Sequence, residues 1–245
     1  YASSVESLIS LQNNTHYMFK KGDIANVDSL EQAIKFFRPN IIVNFAAETH
    51  VDRSIDGPKD FIQTNIFGTY NLLQVSLNYY KSLNMKEKNT FKLIHISTDE
   101  VFGTLGDKGF FNENTPYDPS SPYSASKASS DHLVRAWNKT YDLPAIITNC
   151  SNNYGPYQFP EKLIPLMIIN AIGKKKLPVY GKGNNIRDWL HVFDHCSAID
   201  SIIKNGKSGS SYMIGGNCEK TNLDIVKMIC DIFDKKFKSN KLKHK

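Results

Sequence analysis

Tyr123 and Lys127 stand four residues apart in the run Tyr123-Ser124-Ala125-Ser126-Lys127, a spacing that stacks two side chains on one helical face. A phenol with an ordinary pKa of about 10 is a poor base at neutral pH, but a nearby ammonium stabilises its phenolate and turns it into a usable general base. Alone, the pattern more often marks a tyrosine packed over a lysine stem. Ser97-Thr98 changes the weighing, because it closes an apolar run and offers a hydroxyl for the same substrate oxygen that Tyr123 would deprotonate. Asp99 and Glu100 follow at once. Two adjacent carboxylates can serve as one acid and one base when their surroundings separate their pKa values. An isolated Asp-Glu pair is ordinarily a solvated acidic loop; directly behind Thr98 the catalytic reading is preferred.

These residues need a scaffold that brings strand ends together. Short apolar runs alternate with stretches of helical period, which predicts an α/β fold with a doubly wound parallel sheet. Strands are expected at Ile41 to Phe45, Phe91 to Ser97, Ala145 to Cys150 and Tyr212 to Gly215. Helices are expected at Asp28 to Phe37, with Asp28 as N-cap and Glu31 closing a capping box, and at Phe61 to Leu83, Tyr123 to Tyr141, Glu161 to Ile172, Asp194 to Lys204 and Asn222 to Phe233. In parallel sheets ligands gather at the carboxyl ends of strands. Chemistry-bearing residues follow three of these runs: Ala46-Ala47-Glu48-Thr49-His50, Thr98-Asp99-Glu100 and Ser151-Asn152-Asn153-Tyr154. Beyond residue 150 four prolines, Pro156, Pro160, Pro165 and Pro178, break the period into shorter elements, as in a smaller cap.

The formal net charge is +6, but the last eleven residues hold six lysines and no acid, leaving 24 basic and 24 acidic side chains in the other 234. A neutral body gives no reason to invoke nucleic acid. No run of eighteen apolar residues and no basic-then-apolar leader occur, so neither membrane nor secretion is expected, and a cytoplasmic setting is. Cys150, Cys196, Cys218 and Cys230 show no metal or disulfide spacing and are read as reduced packing residues. His191 and His195 are four apart but lack a third ligand and a helix spanning both, so no metal is expected; His50 and His95 are read as local hydrogen-bond partners. The run Lys174 to Lys176 is read as a solvated helix end.

The Tyr, Lys and Ser/Thr combination resembles the extended short-chain dehydrogenase/reductase family, whose members use a nicotinamide cofactor. Thr98-Asp99-Glu100, the run from Tyr123 through Ala128-Ser129-Ser130-Asp131-His132-Leu133, and Asn149 to Pro165 with its Asn-Asn-Tyr-Gly-Pro-Tyr and Phe-Pro-Glu-Lys-Leu-Ile-Pro blocks are similar to the dTDP-glucose 4,6-dehydratase branch, from about Tyr1 to Phe233. Removing water across C5 and C6 of a sugar needs a second base and an acid beyond simple hydride transfer, which Asp99 and Glu100 can supply. The resemblance implies a Rossmann-like fold with a sugar-nucleotide cap, NAD as a recycled cofactor, dTDP-glucose as substrate and a homodimer formed through the helices at Phe61 to Leu83 and Tyr123 to Tyr141. It further implies that Tyr123 takes the C4 hydroxyl proton with help from Thr98 and Lys127, that Glu100 removes the C5 proton and that Asp99 protonates the departing C6 hydroxyl. Cofactor contacts then fall on Asp23, Ile24, Phe45, Ala46, Ala47, Thr64, Tyr123, Lys127 and Asn153. Substrate contacts fall on Thr49, Thr98, Asn152, Glu161, Lys162, Leu163, on Pro178, Val179 and Tyr180, and on Arg187 and Asn222. Arg187 has independent merit, because a guanidinium fork suits a diphosphate; the competing reading is an ion pair with Asp188.

The family's glycine fingerprint is not found. Gly181-Lys182-Gly183-Asn184-Asn185-Ile186 imitates its start, but Ile186 replaces the third glycine and no helix opens there. The expectation is therefore a chain truncated at both ends, lacking the first two strands of the fold and the end of the cap. It divides into a partial NAD-binding domain (1–150), a partial substrate-binding cap with returning sheet elements (151–233) and a lysine-rich tail (234–245). Such a chain is expected to bind NAD poorly and to be inactive or unstable alone. The alternatives are a UDP-sugar epimerase or decarboxylase of the same family, which would more usually lack the Asp-Glu pair, and a catalytically silent fragment.

Overall fold

The computed structural model describes residues 4–106, 109–179 and 181–241, with side chains to Lys236. A 3-10 turn, Val5–Leu11, precedes α1 (Val27–Phe37), β1 (Ile41–Asn44), α2 (Val51–Asp56) and α3 (Pro58–Phe61). A π-helical stretch, Ile62–Gly68, leads into α4 (Thr69–Ser82), α5 (Met85–Lys88), β2 (Lys92–Thr98), a 3-10 turn at Asp99–Phe102, α6 (Pro122–Tyr141) and β3 (Ala145–Cys150). The chain goes on through β4 (Asn152–Tyr154), α7 (Leu163–Ile172), β5 (Ile186–His191), α8 (Val192–Asn205), β6 (Ser211–Ile214), β7 (Glu219–Thr221) and α9 (Asn222–Lys241). It folds as two compact units, one of Phe19–Cys150 with Cys196–Ile214, the other of Tyr1–Met18, Ser151–His195 and Gly215–Lys245.

The larger unit is built on a four-stranded parallel sheet in the order β1-β2-β3-β6. Nearly unbroken apolar runs explain why β2 and β3 occupy its centre, since strands covered on both faces need no alternation. Leu93, Ala145 and Ile147 from these strands pack against Leu73 and Leu77 of α4 and Val134 of α6, with Phe91 and Leu143 at the strand entrances. At the edge, β1 leaves Ile41 38% and Phe45 59% exposed. A second apolar cluster, Val101, Phe102 and Ala128, lies under the turn that follows β2.

Several expected helices differ in detail: α7 starts two residues late, α8 two residues early, and α9 runs on to Lys241 through the start of the segment expected as a lysine-rich tail. Two further differences have a visible cause. Helix α1 begins one residue early: extended Asn26 is the N-cap and accepts from Ser29 N (3.0 Å), so the capping box of Asp28 and Glu31 does not form. The Phe61 to Leu83 segment is not a uniform α-helix, because Ile62–Gly68 widens into a π turn. Its wall is pulled toward neighbours: Ser130 Oγ donates to the Asn65 carbonyl (2.6 Å), and Gly68 packs so closely that a Cβ would come within 2.6 Å of Ile24. Such bulges often mark functional positions.

In the smaller unit β4 runs parallel to β5 and β7 antiparallel to it, and α7 packs against α9. Both oxygens of Asp188 accept backbone N–H groups, from Gly216 and Cys218 at 2.7 Å each. All four cysteines are free, but Cys196 and Cys218 are exposed, so the expected packing role suits only the half-buried Cys150 and Cys230. Among the described residues no helix is long and apolar enough to cross a membrane.

Candidate active site

The larger unit brings Thr98, Asp99, Glu100, Tyr123 and Lys127 to the carboxyl end of its sheet. Thr98 ends β2 and caps the 3-10 turn: its Oγ1 accepts from Glu100 N (3.2 Å) and donates to Asp99 Oδ1 (3.3 Å). Gly103 closes that turn at φ 81°, where a Cβ would lie 2.4 Å from the Asp118 carbonyl, so only glycine fits. Val101 and Phe102 anchor the turn below while Asp99 and Glu100 stay half-buried above. One short segment thus presents a hydroxyl and two carboxylates on a rigid base.

Tyr123 enters from α6. Pro122 occupies the first turn and Ser121 forms a capping box with Ser124. The Tyr123 N–H donates to Ser54 Oγ (3.1 Å), whose own proton goes to the Val51 carbonyl (2.6 Å), so α2 helps fix the start of α6. The ring meets Phe61 edge-on at 6.3 Å between centroids. Burial, then the charges of Glu100 and Cys150 and, more weakly, Asp99, push the Tyr123 pKa up, against a hydrogen bond with Thr98 that works to lower it. The sequence reading had Lys127 lowering that pKa directly. In the structure its Nζ donates to the Ile96 carbonyl (2.7 Å), on the strand beneath, and Lys127 is not among the groups that shift the phenol.

Under this layer lies a buried polar cluster that the sequence reading did not single out. Asp131, fully buried, accepts from Ser97 Oγ and Tyr117 OH at 2.8 Å each and from Asn149 Nδ2 at 3.4 Å, all on Oδ2. Its other oxygen faces His95 Nε2 at 3.4 Å, too poorly aligned for a good hydrogen bond. His95 Nδ1 faces the Asn44 amide (3.2 Å), and Asn44 Oδ1 accepts from Ala46 N (3.1 Å). His95 is therefore a partner over long sequence separations, not the local one expected; His50 is local, accepting from Arg53 N as the cap of α2. Burial holds the His95 pKa down, with Lys127 adding to the effect, so the imidazole is neutral. Burial works to raise the Asp131 pKa, but His95, Lys127 and Ser97 together hold it below the ordinary value. The available signal was the acid one helical turn beyond Lys127.

The expected cofactor residues of this unit line its β1 end. Asn65, buried in the π turn, clamps the loop after β1 by accepting from Glu48 N (2.8 Å) and donating to the Glu48 carbonyl (3.0 Å). This fixes the loop that carries Ala46, Ala47 and Thr49. Thr64 stands half-buried on the same π turn, and Phe45 is exposed. Asp23 and Ile24 line a cavity of about 190 Å³ with Lys20, Gly22, Ser29 and Leu30. This donor set suits a dinucleotide: a carboxylate for hydroxyl or amine protons, alanines where the backbone must be approached, and a phenol and an ammonium.

The smaller unit holds the remaining expected residues. Asn152 and Asn153 lie on β4, and Asn153 Oδ1 meets His195 Nδ1 at 2.8 Å, which makes His195 a structural partner of that amide. Glu161, Lys162 and Leu163 lead into α7, with Lys162 as its N-cap. Asn222 N donates to the Asn185 carbonyl, and Val179 touches Gly183 in the same turn, so the starts of α9 and β5 are brought together near Pro178. Arg187 is exposed and donates to the Ile186 carbonyl (3.0 Å); with both Asp188 oxygens engaged by backbone, the competing Arg187–Asp188 pair is not formed. Tyr180 lies outside the described residues.

Comparison with known proteins places the chain in a family. The family model described as GDP-mannose 4,6 dehydratase matches residues 1–245. A dTDP-glucose 4,6-dehydratase of Haemophilus influenzae is 54% identical over 235 residues, 96% of this chain and 70% of the relative. The dTDP-glucose 4,6-dehydratase 1 of Escherichia coli strain K12 is 52% identical over 243 residues, 96% and 67% of the respective chains. Among solved structures, the Bacillus anthracis dTDP-glucose 4,6-dehydratase in complex with NAD is 50% identical and superposes with a TM-score of 0.83 over 94% of this chain and 68% of that one. With the family model matching residues 1–245 and relatives more than 50% identical over 96% of it, the chain belongs to the family that the GDP-mannose 4,6 dehydratase model describes.

Proposed function

We propose that the chain carries the catalytic centre of a dTDP-glucose 4,6-dehydratase, a hydro-lyase that converts dTDP-glucose to dTDP-4-keto-6-deoxyglucose for deoxysugar synthesis. The observation that carries this reading is the turn after β2, where Thr98 caps a 3-10 turn whose first two residues, Asp99 and Glu100, are carboxylates held half-buried at the carboxyl end of the sheet. NAD, held by the expected cofactor residues, would supply the hydride chemistry, an acceptor for C4 and a donor for C6. Tyr123 acts in its phenolate form and receives the C4 hydroxyl proton, with Thr98 and Lys127 assisting. Oxidation at C4 acidifies C5. Glu100 removes the C5 proton and Asp99 protonates the leaving hydroxyl at C6, so water departs with its charge neutralised, and Glu100 returns its proton to C5 as C6 gains hydride.

Asp23, Ile24, Phe45, Ala46, Ala47 and Thr64 hold the cofactor, with Tyr123 and Lys127 at its reactive end; Asn153 is also assigned to it. Thr49, Thr98, Asn152, Glu161, Lys162, Leu163, Pro178, Val179, Tyr180 and Asn222 contact the sugar nucleotide, and Arg187 takes its diphosphate. The protein works as a cytoplasmic homodimer, paired through the Phe61 to Leu83 and Tyr123 to Tyr141 helices, where Tyr70 and Tyr141 are exposed.

The test uses dTDP-glucose deuterated at C4, given with NAD to the chain and to the chain extended to the length of its relatives. The expected outcome is a product with the alkaline absorbance of a 4-keto sugar and deuterium at C6. Epimerised or decarboxylated sugar nucleotide, or no conversion by either protein, overturns the proposal.

A further inference from the structure

Lys127 is 4% and Asp131 0% exposed, one turn apart on α6. Two buried charges in one helix need each other, because a lone one carries an uncompensated desolvation cost. The hydrogen bonds identify which groups are charged. Three neutral donors, Ser97 Oγ, Tyr117 OH and Asn149 Nδ2, converge on Asp131 Oδ2, the pattern that stabilises a carboxylate over a carboxylic acid. The Asn44 amide donates to His95 Nδ1, which places the imidazole proton on Nε2 toward Asp131 and leaves the ring neutral. Arg135 is held on the far side of Tyr117, donating to its hydroxyl at 2.7 Å and stacked 4.6 Å over its ring. Among the described residues Lys127 is then the buried cation whose charge matches that of Asp131.

The geometry points to Asp131 as a positioning residue: it is the buried counter-charge that keeps Lys127 an ammonium, with Ser97, Tyr117, Asn149 and His95 locking the carboxylate in place. The inference rests on the reading of Tyr123 and Lys127 as a catalytic pair. Burial drives the lysine toward its neutral form and leaves its pKa below the ordinary value, although Asp131 and Cys150 oppose that drive. The titratable groups that act on Lys127 are Asp131 on its own helix, His95 on β2 and Cys150 on β3, with Tyr117 and Arg135 beside Asp131. Loss of the Asp131 charge leaves a buried ammonium without its anion, and the lysine gives up its proton at lower pH.

The test reads Lys127 directly and requires no turnover. In protein carrying [13C]lysine, the Lys127 Cε signal, assigned by its loss in Lys127→Arg, is followed by NMR against pH in the wild type and in Asp131→Asn. The wild type should keep its ammonium through pH 8, and Asp131→Asn should titrate at least about one pH unit lower. The alkaline limb of kcat with dTDP-glucose should move by the same amount, and in the Lys127→Arg background, where the cation has no proton to lose, Asp131→Asn should no longer move it. A wild-type lysine already neutral at pH 7.5 overturns the inference, even if Asp131→Asn does not fold. So does a variant that melts lower while Lys127 titrates unchanged, since that is a packing role only. Absence of dehydratase activity, with the NMR titration as expected, would instead count against the proposed reaction and leave the Asp131 assignment standing.

Discussion

Around Lys127 the larger unit buries four titratable groups, Lys127, Asp131, His95 and Tyr123, near the carboxyl end of its sheet. The expected binding residues of the smaller unit are placed otherwise: Arg187 and Pro178 are exposed, and Asn152, Glu161, Lys162 and Asn222 only half-buried. A charge held in a low-dielectric cluster acts strongly on its neighbours, whereas an exposed one is screened by water and salt. Chemistry that depends on proton position is thus concentrated where dipoles cannot relax, and recognition of a charged ligand is left to side chains that can adjust. Substitutions in the first region should cost turnover; those in the second should cost affinity.

The largest effect is expected at Tyr123. Tyr123→Phe keeps the ring against Phe61 but removes the proton acceptor, and kcat with dTDP-glucose should fall by about 10³ to 10⁴ with KM within a few-fold, since general-base contributions reach that size. A loss confined to KM would place Tyr123 with the binding residues and break the division. Glu100→Gln and Asp99→Asn should each lower the rate of 4-keto product formation by roughly 10² to 10³ while NAD affinity, read by titration calorimetry, stays within about twofold. Unchanged turnover in either would remove that carboxylate from its role.

How much of this was readable in the sequence follows from range. The turn Thr98 to Glu100 and the Tyr123/Lys127 spacing depend on neighbours within one helical turn or on the end of one strand, and these were legible. So were β1, β2, β3 and β6, because apolar runs report burial directly. The direction of Lys127 was not, since spacing places it on the Tyr123 face but the Ile96 carbonyl, 31 residues away, captures its ammonium. The same limit hid His95 and Asn44, which meet across 51 residues, and the π turn, whose cause lies in Ser130 on another helix. The N-cap of α1 was misjudged for a local reason: Asn26 and Asp28 are both good caps, and only the extended backbone at Asn26 decides between them.

Arg187 tests the other half of the comparison. Arg187→Ala should raise KM for dTDP-glucose about tenfold, with kcat within about twofold and an unchanged melting temperature, because an exposed guanidinium on a phosphate contributes on the order of one charge-assisted hydrogen bond. A fall in kcat as large as that of Glu100→Gln would mean that the exposed region also shapes the transition state.

The smallest effect concerns stability and sharpens what burial means in the cluster. The folded His95 pKa lies below its ordinary value, so as pH falls through about 6.5 the unfolded chain takes up a proton that the folded protein refuses. Stability contributed by the neutral ring is fully present above that pH and is lost below it, with a slope approaching about 1.4 kcal/mol per pH unit per proton. His195, also held down by burial, adds a parallel share, while Asp131, whose pKa is lowered, contributes only in the more acidic window below about pH 4. Urea midpoints measured between pH 7.5 and 5 should therefore decline, and His95→Gln, whose amide can still face Asp131 without titrating, should decline less steeply while keeping the residual slope of His195. If the two proteins lose stability in parallel over that range, His95 is not buried as a neutral ring, and the contrast between a sealed catalytic cluster and an open binding surface loses its firmest physical basis.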